Sequence, residues 1–217
     1  MSATRRLLRG LPVFGGDLPE FAPEVAPDRP EDLFVQWLTE AVADGVREPH
    51  AMTLSTVSPD GAPSARVLLL KDVDPDGWRF ASHGGSPKGR QLAAHPGVAL
   101  TFYWPEVARQ VRIRGTAHPG SAESSATDFL ARSPGARAES LAGRQSQILD
   151  SRGTLALSTE RSAGRIAADP GLVVPEWTLY TVRAEEAEFW QGDKQRQHTR
   201  LRYVRDGDSW IRNLLWP

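Results

Sequence analysis

The chain has 217 residues and a formal net charge of −1, with 26 Lys and Arg set against 27 Asp and Glu. That length suits one domain able to bury a sizeable core, and the near balance of charge excludes a general attraction to nucleic acid or to an anionic membrane surface, so any anion site has to be local. With no cysteine, a disulfide, a thiolate metal site and a cysteine nucleophile are all excluded, and the cytoplasm is the simplest compartment.

The N-terminus carries Arg5, Arg6 and Arg9 around two leucines and lacks the apolar core of a signal peptide. No stretch approaches the ~18 apolar residues that span a bilayer, so a soluble protein with no membrane partner is expected. Residues 1–30 hold Gly15, Gly16 and five prolines, at 12, 19, 23, 27 and 30, which favours an extended N-terminal arm. The packed domain is expected over 31–217.

Glu31 to Val46 sets Leu33, Phe34, Trp37, Leu38, Ala41 and Val42 at helical spacing, with Asp28 as a cap before Pro30. From Ala51 the period changes. MTLSTV, ARVLLLK and WRFAS are short β-rich runs separated by the turn signals SPDG and DPDG, the pattern of an antiparallel meander. Ser86 followed by Pro87 supplies an N-cap and a first-turn proline for a helix to about His95, and strand character resumes in GVALTFYW and ARQVRIRGTAH.

Residues 120–168 read as two or three helices, broken at Ser133, Pro134 and Gly135 and again at Arg152 and Gly153. The end returns to strands, WTLYTVR, AEFWQ, TRLRYVR and SWIRNLL, with RDGDS as the last hairpin turn. Roughly seven strands with helices grouped between them indicate an α+β barrel.

Two constellations carry possible chemistry. Arg66 on a strand, with Ser86, Pro87 and Lys88 at a helix start, would aim backbone N–H groups and two cations at one point, as a phosphate site requires; the same residues also read as an ordinary capped helix beside a solvated Lys. Along EFWQGDKQRQHTRLRY, alternation places Arg196, His198 and Arg200 on one strand face. Three such groups repel one another unless an anion or an acidic side chain lies between them, although charge protecting an edge strand gives the same pattern.

The histidines lack metal-ligand spacing, no GxSxG elbow occurs, and SHGGS is not followed by the GK[ST] of a phosphate loop. Trp37, Trp78 and Trp104 fall where packing explains them better than base stacking does. No metal and no nucleic acid partner are expected.

Taken together, RVLLLK (66–71), SPKGRQL (86–92), RQV (109–111), RQS (144–146), EFWQG (188–192) and RQHTR (196–200) resemble, in order and spacing, the pyridoxamine 5′-phosphate oxidase family. The resemblance implies an FMN-binding split β-barrel, antiparallel and Greek-key-like with peripheral helices, that forms a homodimer with FMN at the subunit interface. It implies that Arg66 and Lys88 hold the FMN phosphate, with Ser82 and the 67–70 backbone (Val67, Leu68, Leu69, Leu70) and Lys71 lining the cofactor. Gln110, Gln145, Ser146, Trp190 and Arg200 match further flavin contacts. Lys71, Arg132, Arg196 and His198 match the substrate pocket, with Arg196 and His198 in the catalytic positions. The implied reaction passes a hydride from a small substrate to the flavin and then electrons to O2, giving H2O2.

The chain also departs from the vitamin oxidase pattern. Asp128 stands where a Tyr contacts the substrate phosphate and Ala136 where a Ser does; an Asp there repels a phosphate dianion by ~1 kcal/mol or more, and Ala136 removes a donor. Pro87 replaces an Arg of the FMN phosphate site, and Thr178 with Leu179 replace a Gly-Gly pair, which lowers the expected flavin affinity. LPEFAPEVAP, GVREP, SHGGSPKGRQLA and RLRYVRDGDSW look more like the phenazine-biosynthesis flavin oxidases of the same family, although Lys71 stands where that branch is expected to carry a small residue. The expected substrate is therefore a small, reduced, anionic, phenazine-type heteroaromatic. The alternatives are a pyridoxine/pyridoxamine 5′-phosphate oxidase, a flavin-binding protein without turnover, and a deazaflavin-dependent reductase on the same barrel.

Overall fold

The computed structural model describes residues 1–217. Its elements are α1 (Ala3–Arg9), a 3-10 turn (Pro23–Val25), α2 (Pro30–Ala43), β1 (Ala51–Val57), β2 (Pro63–Leu69), β3 (Asp72–Asp74), β4 (Gly77–His83), α3 (Pro87–Ala94), β5 (Gly97–Trp104), a second 3-10 turn (Pro105–Val107), β6 (Arg109–Pro119), α4 (Ala122–Leu130), α5 (Pro134–Leu141), α6 (Arg152–Ala168), β7 (Trp177–Gln191), β8 (Thr199–Asp206) and β9 (Ser209–Leu214). Hydrogen-bonded neighbours run β2-β1-β5-β6-β7-β4-β3, with β8 on β7 and β9 on β8. The chain forms two compact units.

The first unit comprises Met1–Met52, Leu100–Ile113 and Glu185–Pro217. In α2, Leu33, Phe34, Trp37 and Ala41 recur at helical spacing and are buried. They pack into an aromatic core, Phe34 on Phe102 at 4.7 Å and Trp37 edge-on to Phe189 at 5.2 Å. Arg109 is buried beside them. Its guanidinium lies 4.2 Å over Trp37, Nη1 donates to Glu40 at 2.6 Å and Nε to Gln191 at 2.9 Å, so the charge is compensated where water cannot reach it. The hairpin between β8 and β9 turns at Gly207, whose φ of +59° suits glycine.

The second unit comprises Thr53–Ala99 and Arg114–Ala184. β4 pairs antiparallel with β7 from Trp78↔Val182 to His83↔Trp177. Phe80 stacks on Tyr180 at 5.3 Å, and Phe129 meets Trp177 edge-on at 5.8 Å. The starts of α3, α4, α5 and α6 are all capped by serine, Ser86, Ser121, Ser133 and Ser151, each accepting from the backbone N–H three residues on. The breaks expected at 133–135 and 152–153 are thus helix starts, and three helices fill 120–168.

Several expectations change in detail. There are nine strands rather than about seven: β3 is too short to leave a pattern. WTLYTVR and AEFWQ form one continuous strand, β7, because Ala184 and Ala187 are buried within it. The cap of α2 is Arg29, without a side-chain hydrogen bond; Asp28 instead lies 3.5 Å from Arg212. Within residues 1–30, Ala3–Arg9 is helical with Ser2 as its N-cap and no buried residue. Further along, Tyr203 donates to the Pro27 carbonyl at 2.8 Å and Phe21 meets Trp37 at 4.9 Å, contacts that fix this segment to the first unit.

Candidate functional site

In the second unit, Arg66 and Lys88 stand among neutral partners. Arg66 Nη1 donates to the Leu54 carbonyl at 3.1 Å and to Thr56 Oγ1 at 2.6 Å, and Nη2 to Ser64 Oγ at 2.6 Å and Gln91 Oε1 at 3.3 Å. Thr56 in turn donates to Gln91 at 2.6 Å. Lys88, in the first turn of α3, donates to Gln145 Oε1 at 2.8 Å.

Burial pushes the Lys88 ammonium below its ordinary pKa and neighbouring Arg66 adds to the shift; burial likewise lowers Arg66. Two desolvated cations without a carboxylate between them favour an anion. The N-terminus of α3 adds its dipole. Ser82 is buried beside this point, its Oγ 3.5 Å from that of Ser86. Gly89 permits the close approach of α3 to the preceding loop, since a Cβ there would overlap the Gly84 carbonyl.

The same unit holds a cavity of about 650 Å³ lined by Leu68, Leu69, Lys71, Ser82, Lys88, Arg132, Ala136, Gln145, Trp177 and others, a size that takes a cofactor and a small substrate. At its wall, Asp128 Oδ2 accepts from Trp177 Nε1 at 2.8 Å, and Oδ1 lies 3.6 Å from Lys71 Nζ. Arg132 stacks 4.1 Å over the Trp177 ring and donates to Ser140 Oγ at 2.6 Å. Burial lowers the Arg132 pKa, partly offset by Asp128 and Glu139.

Of the residues expected around the cofactor, Leu68, Leu69, Lys71, Ser82, Lys88 and Gln145 line this cavity. Val67 is exposed and Leu70 is buried, outside the lining. Ser146 is exposed, at φ +65°. Sequence reasoning missed Thr56, Ser64 and Gln91. The signal for Thr56 is its place after Met52 and Leu54 on the buried face of β1.

The remaining expected residues belong to the first unit. Arg196, His198 and Arg200 do not share a strand face: β8 begins at Thr199, and Arg196 sits in a turn at φ +65°. Asp193 builds that turn, its Oδ1 accepting from the backbone N–H of Gln195 and Gln197 at 2.8 and 2.9 Å. The Asp193 N–H donates to His198 Nδ1 at 3.0 Å, which leaves the neutral ring's proton on Nε2. Trp190 and Phe14 flank the imidazole at 5.0 and 5.6 Å.

Arg200 meets an acidic partner, Nε and Nη2 each 2.9 Å from Glu188 Oε1, and Nη1 donates to the Trp216 carbonyl at 2.8 Å. Gln110 is half-buried on β6.

Residues 38–165 match the family described as pyridoxamine 5′-phosphate oxidase, and residues 177–217 match the pyridoxine 5′-phosphate oxidase C-terminal dimerisation region. The chain belongs to the pyridoxamine 5′-phosphate oxidase family. It is 46% identical to a pyridoxine/pyridoxamine 5′-phosphate oxidase of Burkholderia multivorans over 89% of this chain and 91% of that one, and 44% identical to one of Rubrobacter xylanophilus over 85% of each.

Among solved structures, PhzG of Burkholderia lata in complex with tetrahydrophenazine-1-carboxylic acid superposes with a TM-score of 0.85 at 31% identity, covering 93% of this chain and 100% of that one. A pyridoxamine 5′-phosphate oxidase-related, FMN-binding protein of Nostoc punctiforme shares the fold, with a TM-score of 0.70 at 20% identity over 84% and 96% of the two chains.

The fold is thus the α+β split barrel, and the protein is an FMN-dependent oxidase of this family. The cationic point formed by Arg66 and Lys88 fits the phosphate of that cofactor in charge, both cations being held by neutral acceptors and not by a carboxylate. The C-terminal dimerisation region indicates a homodimer. No helix is long and apolar enough to cross a membrane.

Proposed function

We propose that this oxidase acts on a small, reduced, anionic heteroaromatic substrate of the phenazine type and releases H2O2. The observation that carries the reading is the contact of Asp128 with Lys71 at 3.6 Å, beside a cavity wall in which position 136 is alanine. Together they weaken a site for a phosphate dianion, while Arg132 remains for a singly charged group. The 31% identity to PhzG, described with tetrahydrophenazine-1-carboxylic acid, supports the same substrate class.

Held by Arg66, Lys88 and Ser82, FMN would supply the two-electron redox chemistry that carries a hydride equivalent from the substrate to O2, one H2O2 forming per O2 consumed. The chain's own residues supply position and charge. Arg66, Lys88 and Ser82 hold the cofactor phosphate, and Leu68, Leu69 and Gln145 line its cavity. Gln110, Ser146, Trp190 and Arg200 complete the flavin contacts in a dimer that carries FMN at its interface. Arg132 and Lys71 anchor the substrate anion. Arg196 orients the substrate, and His198 donates its Nε2 proton to a substrate oxygen. The protein works in the cytoplasm.

A second reading is pyridoxine/pyridoxamine 5′-phosphate oxidase activity, favoured by the 44–46% identity to proteins of that name and by the presence of Lys71, Arg132, Arg196 and His198. Anaerobic mixing separates the two. A dihydrophenazine carboxylate should bleach the visible absorbance of the FMN-loaded protein within seconds while pyridoxamine 5′-phosphate leaves it oxidised; bleaching by the vitamer alone would reverse the assignment.

A further inference from the structure

We propose that Asp128 decides which anion the cavity accepts, acting through Lys71 and Trp177, and that it selects a singly charged carboxylate over a phosphate monoester dianion. The inference rests on the reading of this cavity as the substrate site.

Asp128 is not part of the cavity lining, and its side chain is only 14% exposed. Both residues it touches do line the cavity. The 2.8 Å hydrogen bond from Trp177 Nε1 fixes Oδ2 in place, so the carboxylate cannot swing away from Lys71 when a ligand arrives. Lys71 therefore meets any anion with its charge already partly compensated.

Arg132 is held differently. It stacks on the same Trp177 ring and donates to Ser140. Trp177 thus joins one compensated cation and one stacked cation at a single wall. Asp128 also acts on Arg132 through space, and a carboxylate pairing with Arg132 meets it with one negative charge where a phosphate dianion brings two. A phosphate dianion brings a second negative charge that Lys71 cannot neutralise while it serves Asp128, and the added repulsion at an effective dielectric near 20 amounts to at least about tenfold in affinity for charges within roughly 10 Å of each other. Asp128 is in this sense a positioning residue whose effect is charge selectivity.

The test uses FMN-loaded dimer and two probes with one ring system, 1-naphthyl phosphate and 1-naphthoate, titrated calorimetrically. Asp128→Asn keeps a carbonyl oxygen for Trp177 and removes only the charge. It should raise the phosphate-to-carboxylate affinity ratio about tenfold with an unchanged melting midpoint, and Lys71→Met in the same background should abolish most of that rise. A ratio unchanged within about twofold in Asp128→Asn overturns the proposal. So does a rise that persists in full without Lys71, or a failure of both probes to bind wild type and variant alike. Calorimetry reads affinity with or without turnover, so a protein inactive on phenazines would refute the proposed reaction and leave this result standing.

Discussion

Lys88 and Gln145, 57 residues apart in the chain, meet through a 2.8 Å hydrogen bond from Nζ to Oε1. That bond ties the start of α3 to the segment between α5 and α6, and it leaves the Lys88 charge without a carboxylate.

The energetic consequence follows from the lowered pKa of Lys88, caused by burial first and by Arg66 second. A depressed ammonium pKa means that the charged form costs the folded protein stability at neutral pH, a cost relieved as pH rises through the depressed value. Cofactor phosphate should offset the same cost. Lys88→Met is therefore expected to weaken FMN binding by about tenfold or more while leaving the melting midpoint of the cofactor-free protein unchanged or higher. Fluorescence titration with FMN and calorimetry of the stripped protein check the two halves.

Arg196 and His198 share the turn that Asp193 organises, away from the Arg66–Lys88 pair in sequence and in partners. Arg196→Ala and His198→Ala should each purify yellow with full flavin content, and turnover should fall by roughly 10²-fold or more, as expected for lost orientation. Colourless protein from either variant would move that residue from the substrate to the cofactor.

Arg109 has a structural task. Its side chain is 3% exposed and joins Glu40, Gln191 and the face of Trp37. Arg109→Ala leaves Gln191 without a donor and opens a gap beside Trp37, so unfolding in urea should show a loss of about 2–4 kcal/mol. The flavin spectrum of the folded fraction should be unchanged.

Burial raises the Tyr203 phenol to about 12, against an ordinary value near 10, and its hydroxyl donates to the Pro27 carbonyl. A group whose folded pKa is raised contributes stability that is complete below the unfolded pKa and lost as pH climbs through the folded one. The loss should fall between about pH 10 and 12 and approach 2–3 kcal/mol. Tyr203→Phe should flatten that part of the stability profile and remove one late-forming phenolate from the near-ultraviolet titration.

Local chemistry was legible where one short segment decides the outcome. Ser86 and Pro87 announce α3 because capping and a fixed φ act within a few residues, whereas Arg66 with Lys88 suit both an anion site and an ordinary capped helix beside a solvated Lys. Alternation along a turn and the strand after it suggests one face for Arg196, His198 and Arg200, but it cannot show that Asp193 captures two backbone N–H groups around an Arg196 at positive φ.

Asp128 was read from sequence as a repulsive charge. Its engagement with Trp177, 49 residues away, and with Lys71 depends on how α4 packs against β7, which no local pattern encodes. The same holds for Gln91, whose place beside Thr56 and Arg66 comes from the docking of α3.

Peroxide formation under air by the FMN-loaded protein tests the central claim most directly, with a dihydrophenazine carboxylate and pyridoxamine 5′-phosphate compared at equal concentration. Rapid peroxide release with the phenazine and little with the vitamer is the expected result. Rapid release with pyridoxamine 5′-phosphate, or none with either, would contradict it.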